Sequence, residues 1–268
     1  MLKISKRSLI LILVGILVVW GIWGGFSLFY HYSGKSDKLT FIVEDESELH
    51  IETNKANIFI SSSGSDTLLA ESVKAGDINF DQDGNVLELE LEDRKFLADG
   101  FLTLEIPSNI KKIVIESSVG DIDIASVDVP VIKIDVETGG ITLTNIETEE
   151  IDLGLDVGSV DAESVKALNS FMISIDVGDI SISNTNAKKM KVSSSTGDIY
   201  IAGGDYNSLD AFAGVGDISI DLDSDDYTYT LNADDIYLFD EYFTEPMKKG
   251  DGERQVDAKT KTGCIEIQ

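Results

Sequence analysis

Glycines at a nearly fixed interval constrain this chain more than any other feature. The segments VGDIDI (119–124), TGGITL (138–143), VGSVDA (157–162), VGDISI (177–182), TGDIYI (196–201) and VGDISI (215–220) share one pattern. Their first glycines, Gly120, Gly139, Gly158, Gly178, Gly197 and Gly216, are spaced 19, 19, 20, 19 and 19 residues apart. AGDINF (75–80) and TGCIEI (262–267) read as outlying copies. Such a period marks a repeat architecture, in which each unit buries its apolar face only against its neighbours.

Counting from each glycine shows the unit. Seven residues before it stand Ile113, Ile132, Ile151, Phe171, Met190 and Leu209, and five before it Ile115, Ile134, Leu153, Ile173, Val192 and Ala211. Two residues after it stand Ile122, Ile141, Val160, Ile180, Ile199 and Ile218, and four after it Ile124, Leu143, Ala162, Ile182, Ile201 and Ile220. Both sides alternate with period two, so each is a half-buried strand. The extra residue of the 20-residue interval falls in the polar link between Ala162 and Phe171. There it leaves the inward rows in register, whereas a slip inside a strand would turn its apolar set outward.

The glycine opens a tight turn where positive φ is useful, and the following Asp121, Asp179, Asp198 or Asp217 is placed to hydrogen-bond its own turn. Strand, Gly-Asp turn, strand and polar link make one coil, and stacked coils align like residues in ladders about 4.8 Å apart. A meander of ordinary hairpins is the alternative, but it does not need the same residue type at the same offset in every copy. The expected fold is all-β: a single-domain β-solenoid of stacked 19–20-residue coils, regular over about 113–220, within residues 39–268. The flanks, with ANIFI (56–60), VLELELE (86–92) and the aromatic run DYTYTLNADDIYLFDEYF (226–243), read as irregular β caps, with a partner surface as the alternative for the aromatic run. Solenoid ends need such caps because a bare terminal coil exposes a sticky edge.

Ahead of this domain, Ser8 to Phe29 carries no charge in 22 residues. A helix of that length spans about 33 Å, enough for the hydrocarbon core of a bilayer. Lys3, Lys6 and Arg7 precede it and Trp20, Trp23, Phe26, Phe29, Tyr30 and Tyr32 crowd its far end. The expected layout is a cytoplasmic basic tail (1–7), a transmembrane anchor (8–30), a short stalk (31–38) and an extracellular domain, oriented by the positive-inside rule. A cleaved signal peptide is the rival, although the stretch is longer than a signal core and no small-x-small site follows it. Either way residues 35–268 lie outside the cytoplasm.

Removing Lys3, Lys6 and Arg7 leaves 18 basic against 49 acidic residues, a net charge of −31. That surface repels nucleic acid and anionic lipid, and favours cations and basic peptides. Cys264 stands alone, so no intramolecular disulfide forms.

The run FLTLEIPSNIKKIVIESSVGDIDI (101–124), with its Ile-Pro, short link, alternating strand and Gly-Asp-Ile, resembles the bacterial putative-adhesin family. That is a β-strand-repeat domain of unknown function with a toast-rack-like solenoid. The likeness covers about residues 40–268. One anchor ahead of such a domain looks like membrane-anchored envelope-stress accessory proteins. The resemblance implies an envelope or surface role, no catalytic residues and an open ligand.

The residues themselves offer little chemistry. The histidines are His31, beside Tyr30 and Tyr32, and His50, in a Glu-rich run; neither has the spacing of a metal pair. A Ser-His-Asp triad would have to use His50, and nothing around it resembles a nucleophile elbow. Phosphate-loop, zinc and dinucleotide motifs are absent, so no cofactor is expected. The candidate metal ligands are Asp179, Asp198 and Asp217, which share one offset in consecutive coils. A row of carboxylates suits calcium, while turn capping by the same residues is the structural alternative. Carboxylate-dependent action on a polysaccharide is a further alternative, weakened because the coils offer only Tyr200, Tyr206, Phe171 and Phe212 as aromatic platforms. The expectation is a non-catalytic, membrane-anchored cell-envelope protein with a scaffold or adhesin-like interaction domain, linked to the envelope stress response. Its expected partner is a protein or a cell-wall component.

Overall fold

A computed structural model describes residues 28–33, 36–43, 45–73, 77–91, 100–222, 226–239 and 241–268. Among these the structure is all-β, with no helix. The strands before and after each glycine form two parallel ladders in register. Ahead of the glycine, Ile113 pairs with Ile132, Phe171 with Met190, Met190 with Leu209, and Leu209 with Val256. After it, Ile122 pairs with Ile141, Val160 with Ile180, Ile180 with Ile199, Ile199 with Ile218, and Ile218 with Ile265. A single strand is continuous from Val131 to Val177 because the backbone stays paired to its neighbours as it winds through successive coils. The extra residue appears as a bulge between Ala167 and Ser170, after which Ile173 still faces Val192.

The four expected inward rows are buried along their length. A fifth row, three residues before the glycine, is buried too, and mixes Val136, Leu155 and Ile175 with Ser117, Ser194 and Thr260. The hydroxyls of Ser194 and Thr260 donate to the carbonyls of Gly178 and Gly216 at 3.0 and 2.9 Å. Ser117 Oγ, at the same offset, is buried without a hydrogen-bond partner. The link expected to be polar is instead a third inward-facing run, because Val127, Val129, Ile146, Val165, Ala167, Thr185 and Tyr206 are buried there. It starts at a second corner, where Ser126, Asn145, Ser164, Asn184 and Gly203 all have φ between 49° and 67°. Asn, Ser and Gly tolerate that left-handed conformation better than larger side chains, which marks the corner chemically.

The flanks hold more of the solenoid than the glycine spacing indicates. Strands Ser47–Lys55 and Asn57–Ser62 form a full coil with Ala56 at the glycine position: Leu49 pairs with Ile113 and Ile58 with Ile122. Outside it lies a terminal coil from a later segment, with Leu87 on Leu49 and Leu102 on Ile58. The far end mirrors this arrangement. TGCIEI closes a regular coil on Leu209 and Ile218, and the earlier aromatic segment forms the terminal coil, with Tyr229 on Val256 and Ile236 on Ile265. Each end coil is therefore out of chain order. In sequence of stacking, the post-glycine row reads Leu102, Ile58, Ile122, Ile141, Val160, Ile180, Ile199, Ile218, Ile265, Ile236, ten coils among the described residues.

Residues 75–76 of AGDINF lie outside the described residues, and the described part, from Asp77, adds no coil. Ile78–Asp83 instead pairs antiparallel with Val86–Leu91, covering the edge of the first terminal coil. On the other side of that coil, Thr67–Val73 pairs antiparallel with Phe101–Ile106, then with Ser36–Ile42, which pairs with Leu28–Ser33. The far terminal coil is covered by Glu241–Phe243 and Met247–Lys249, two three-residue strands tied by a 2.8 Å Lys249–Glu241 ion pair. Short, charged edge strands resist pairing with another sheet. Residues 8–27 of the expected anchor lie outside the described residues, and no described helix is long and apolar enough to cross a membrane. Leu28–Ser33 and Ser36–Ile42 put the last three residues of the expected anchor (28–30) and most of the expected stalk (31–38) in paired strand instead.

Candidate functional site

The glycine corner is a column as well as a series of turns. Gly120, Gly139, Gly158, Gly178, Gly197, Gly216 and Gly263 have φ between 142° and 152°. A Cβ on any of them would overlap the carbonyl oxygen of the residue one coil before, from Ala56 beneath Gly120 to Gly216 beneath Gly263. Close backbone approach and a conformation open only to glycine thus select the same residue.

The candidate metal ligands lie beside this column, and their carboxylates reach along the stack. Asp179 Oδ1 accepts a 2.8 Å hydrogen bond from the backbone N–H of Asp198. Asp198 Oδ1 accepts one from Asp217, and Asp217 Oδ1 one from Cys264, each at 2.8 Å. Asn57 and Asp121 do the same for Asp121 and Gly140, at 2.9 and 2.8 Å. The sequence reading assigned each Asp to its own turn; the structure assigns it to the turn of the next coil, because that N–H points along the stack. One oxygen of each carboxylate is thereby committed to the backbone, and the Asp217 carboxylate also meets the Cys264 thiol. Among the described residues, no three His, Cys, Asp or Glu side chains are grouped to hold a metal ion.

A second acidic row lies on the outer face of the pre-glycine ladder. Glu90, Glu52, Glu116 and Asp135 face one another in four successive coils, all exposed. None forms an ion pair with a described cation. Stacked like charges oppose one another across a ladder, so this row is held by the buried Leu and Ile beneath it. Beside it is a shallow cleft of about 440 Å³, lined by Glu52, Asn54, Glu116, Glu137, Asp156 and neighbouring residues. The row is invisible to a linear scan because its members come in the order 90, 52, 116, 135. Only aligning Leu87 and Leu89 with Leu49, Ile51, Ile113 and Ile115 would have found it.

His50 sits at the end of this face, in a cleft of about 210 Å³ with Glu52, Glu88, Glu90 and Glu116 among its walls. Its Nε2 lies 3.4 Å from Glu48 Oε2. The Lys112 ammonium, 2.8 Å from the same carboxylate oxygen, holds the Glu48 carboxyl below its ordinary range. Cys264 is half-buried; burial first, then the Asp217 carboxylate, push its thiol up, away from thiolate reactivity.

The family model of Toastrack DUF4097 matches residues 46–268. The chain belongs to this family. No curated protein matches it. Among solved structures, the Toastrack chain is similar to a Parabacteroides distasonis protein named putative lipid binding protein, with 12% identity, 88% of this chain and 98% of that one covered, and a TM-score of 0.57. It is also similar to proteins named putative adhesin from Parabacteroides merdae (15% identity, 88% and 97% covered, TM-score 0.54) and Bacteroides fragilis (16%, 88% and 98%, TM-score 0.50). At these identities the likeness establishes the Toastrack fold alone. These relatives carry names of binding proteins, not of enzymes.

Proposed function

We propose that this Toastrack chain is a non-catalytic, adhesin-like interaction protein of the cell envelope. The apolar segment that starts at residue 8 anchors it ahead of Leu28, residues 1–7 stay in the cytoplasm, and the solenoid stands outside the membrane. The single observation behind this reading is the in-register stacking of ten coils onto an N-terminal sheet whose first described strand, Leu28–Ser33, takes up the chain at the end of the apolar segment. Such a stack is a stiff rod about 43 Å long at the usual strand spacing, with continuous outward rows for a partner to follow. The names of the similar structures and the chain's acidic surface support a binding role in which a protein or cell-wall component is the partner. Participation in the envelope stress response belongs to the same proposal.

Protease treatment of intact cells expressing the full-length chain with a C-terminal tag tests the layout. The tag is expected to be lost from intact cells while a tag at Met1 is protected. Protection of the C-terminal tag would sink the proposal, as would hydrolysis of cell-wall glycan that disappears in Asp198→Asn. A second reading, weak calcium binding, draws on the unpaired carboxylates of the Glu90–Glu52–Glu116–Asp135 row, although no three of the described side chains are grouped to hold the ion.

A further inference from the structure

The terminal coils far from the N-terminus carry a strip of exposed rings on the outer face of the post-glycine ladder. Tyr200, Ser219, Glu266 and Tyr237 stand in one outward row on four successive coils. Tyr200 and Tyr237 are therefore about 14 Å apart, three strand spacings. They are 48% and 44% exposed, and Tyr242, paired beside Tyr237, is 55% exposed, so these rings are platforms rather than core. The Tyr237 and Tyr242 rings lie 5.1 Å apart and tilted by 39°, a broad apolar floor. Next to it opens a shallow pocket of about 380 Å³, lined by Tyr237, Phe239, Glu266, Ile267 and Gln268. Phe239 holds a φ of 49°, a left-handed conformation disfavoured for an aromatic residue, and its exposed ring packs edge-on against Tyr229. The fold keeps this residue at the pocket wall in a disfavoured backbone conformation.

The polar groups of the strip are arranged for hydroxyls and amides. Gln268 Nε2 donates to Glu266 Oε1 at 2.7 Å, and Tyr242 Oη donates to Asp235 Oδ1 at 2.5 Å. Each carboxylate already accepts a hydrogen bond and keeps lone pairs for a further donor, while the Gln268 amide offers both a donor and an acceptor. Aromatic faces stack well on the C–H faces of a pyranose ring, and neighbouring carboxylate and amide groups take its hydroxyls. A polyanion is repelled here by the acidic surface. A polycation meets a denser field of carboxylates at the other end, along Glu90, Glu52, Glu116 and Asp135. Of these classes, the strip best fits an uncharged chain of sugar rings.

We propose that the Tyr200–Glu266–Tyr237 strip, with the adjoining Phe239 pocket, binds an uncharged glycan chain along the solenoid axis. This rests on the reading of the domain as a displayed binding surface, and places the glycan site at the end away from the N-terminal sheet. The test is isothermal titration of the full-length chain in detergent with chitohexaose, an uncharged oligomer of N-acetylglucosamine, beside cellohexaose, oligogalacturonate and hexalysine. Saturable binding of at least one uncharged oligomer is expected, with none of oligogalacturonate. Tyr237→Ala and Tyr200→Ala should each weaken it about tenfold. Tyr237→Phe, which keeps the ring, and Glu116→Gln, on the distant acidic face, should leave it within about twofold. Failure to bind either uncharged oligomer overturns the proposal. So does equal weakening by Glu116→Gln, or hexalysine binding at the strip that Tyr237→Ala abolishes. Loss of glycan binding with the protease pattern on intact cells intact would sink this ligand and leave the envelope reading standing.

Discussion

The Asp198 carboxylate accepts a 2.8 Å hydrogen bond from the backbone N–H of Asp217, nineteen residues later and one coil up the stack. A side chain that looks like a turn capper in the sequence is a clamp between turns. Its removal leaves an N–H that must find water at a tight corner. Asp198→Ala is expected to destabilise the domain by about 1–2 kcal/mol, and Asp198→Asn, which keeps an acceptor oxygen, by less than half of that. Thermal or urea unfolding of the two variants decides it; equal losses would show that charge, not the hydrogen bond, is what the position supplies.

The same geometry bears on calcium. With one oxygen of each of Asp179, Asp198 and Asp217 committed to backbone, and the Asp217 carboxylate also engaged by the Cys264 thiol, the row falls short of the six to eight ligands that the ion prefers. Calorimetric titration is expected to give dissociation constants of about a millimolar or weaker. A submicromolar site abolished by Asp179→Asn with Asp198→Asn would contradict this.

Gly178 sits with φ 146° directly above the carbonyl of Gly158. Gly178→Ala should cost more than about 3 kcal/mol, combining forbidden backbone with overlap. Gly64→Ala, where nothing lies within 4 Å of the added carbon, should change stability by less than about 0.5 kcal/mol. Comparable melting shifts in the two variants would mean that the coils part easily at this corner.

Ile199 is buried in the post-glycine row, whereas Ser219, one coil on and one position along, faces outward. Ile199→Asp buries an unpaired carboxylate and is expected to cost about 4 kcal/mol or more, enough to prevent folding at moderate temperature. Ser219→Asp should cost under about 1 kcal/mol, part of it repulsion from neighbouring Glu266. Soluble yield and unfolding midpoints give the comparison.

Lys112 holds the Glu48 carboxyl below its ordinary range. A depressed folded-state pKa gives stability that is fully present above the unfolded value, near 4.5, and is lost as pH falls through the folded value. Both side chains are partly exposed, so the pair is worth no more than about 1 kcal/mol. The stability gap between wild type and Glu48→Gln should therefore narrow as pH falls below about 4.5 toward the lowered folded-state value. A gap that stays unchanged across that acid range would assign the effect to packing.

How far the sequence reached can be seen coil by coil. Where coils follow one another in the chain, from Ile113 to Ile220, offset from the glycine was enough to identify the inward rows and place the bulge. It failed at the ends for a topological reason. The terminal coils are inserted out of order, Ala56 replaces the marker glycine, and the pair Glu52–Glu116 is separated by 64 residues although the two face each other. AGDINF carries the local pattern, but its described residues lead into the edge strand Ile78–Asp83, since the motif encodes a turn and a strand without naming their partner. Val129 and Tyr206 were hidden in a link whose neighbours are polar.

The amino-acid sequence by itself determined what each local stretch is: a strand of period two, a corner that only glycine can occupy, and an uncharged segment long enough to cross a bilayer. These follow from side-chain alternation, backbone sterics and hydropathy, which act over a few residues. Only the tertiary structure decided which coil lies on which, that each Asp serves the turn above it, and that Tyr200, Glu266 and Tyr237 form one row. Those relations depend on stacking order, and the packing of buried rows in three dimensions sets that order, out of sequence at both ends.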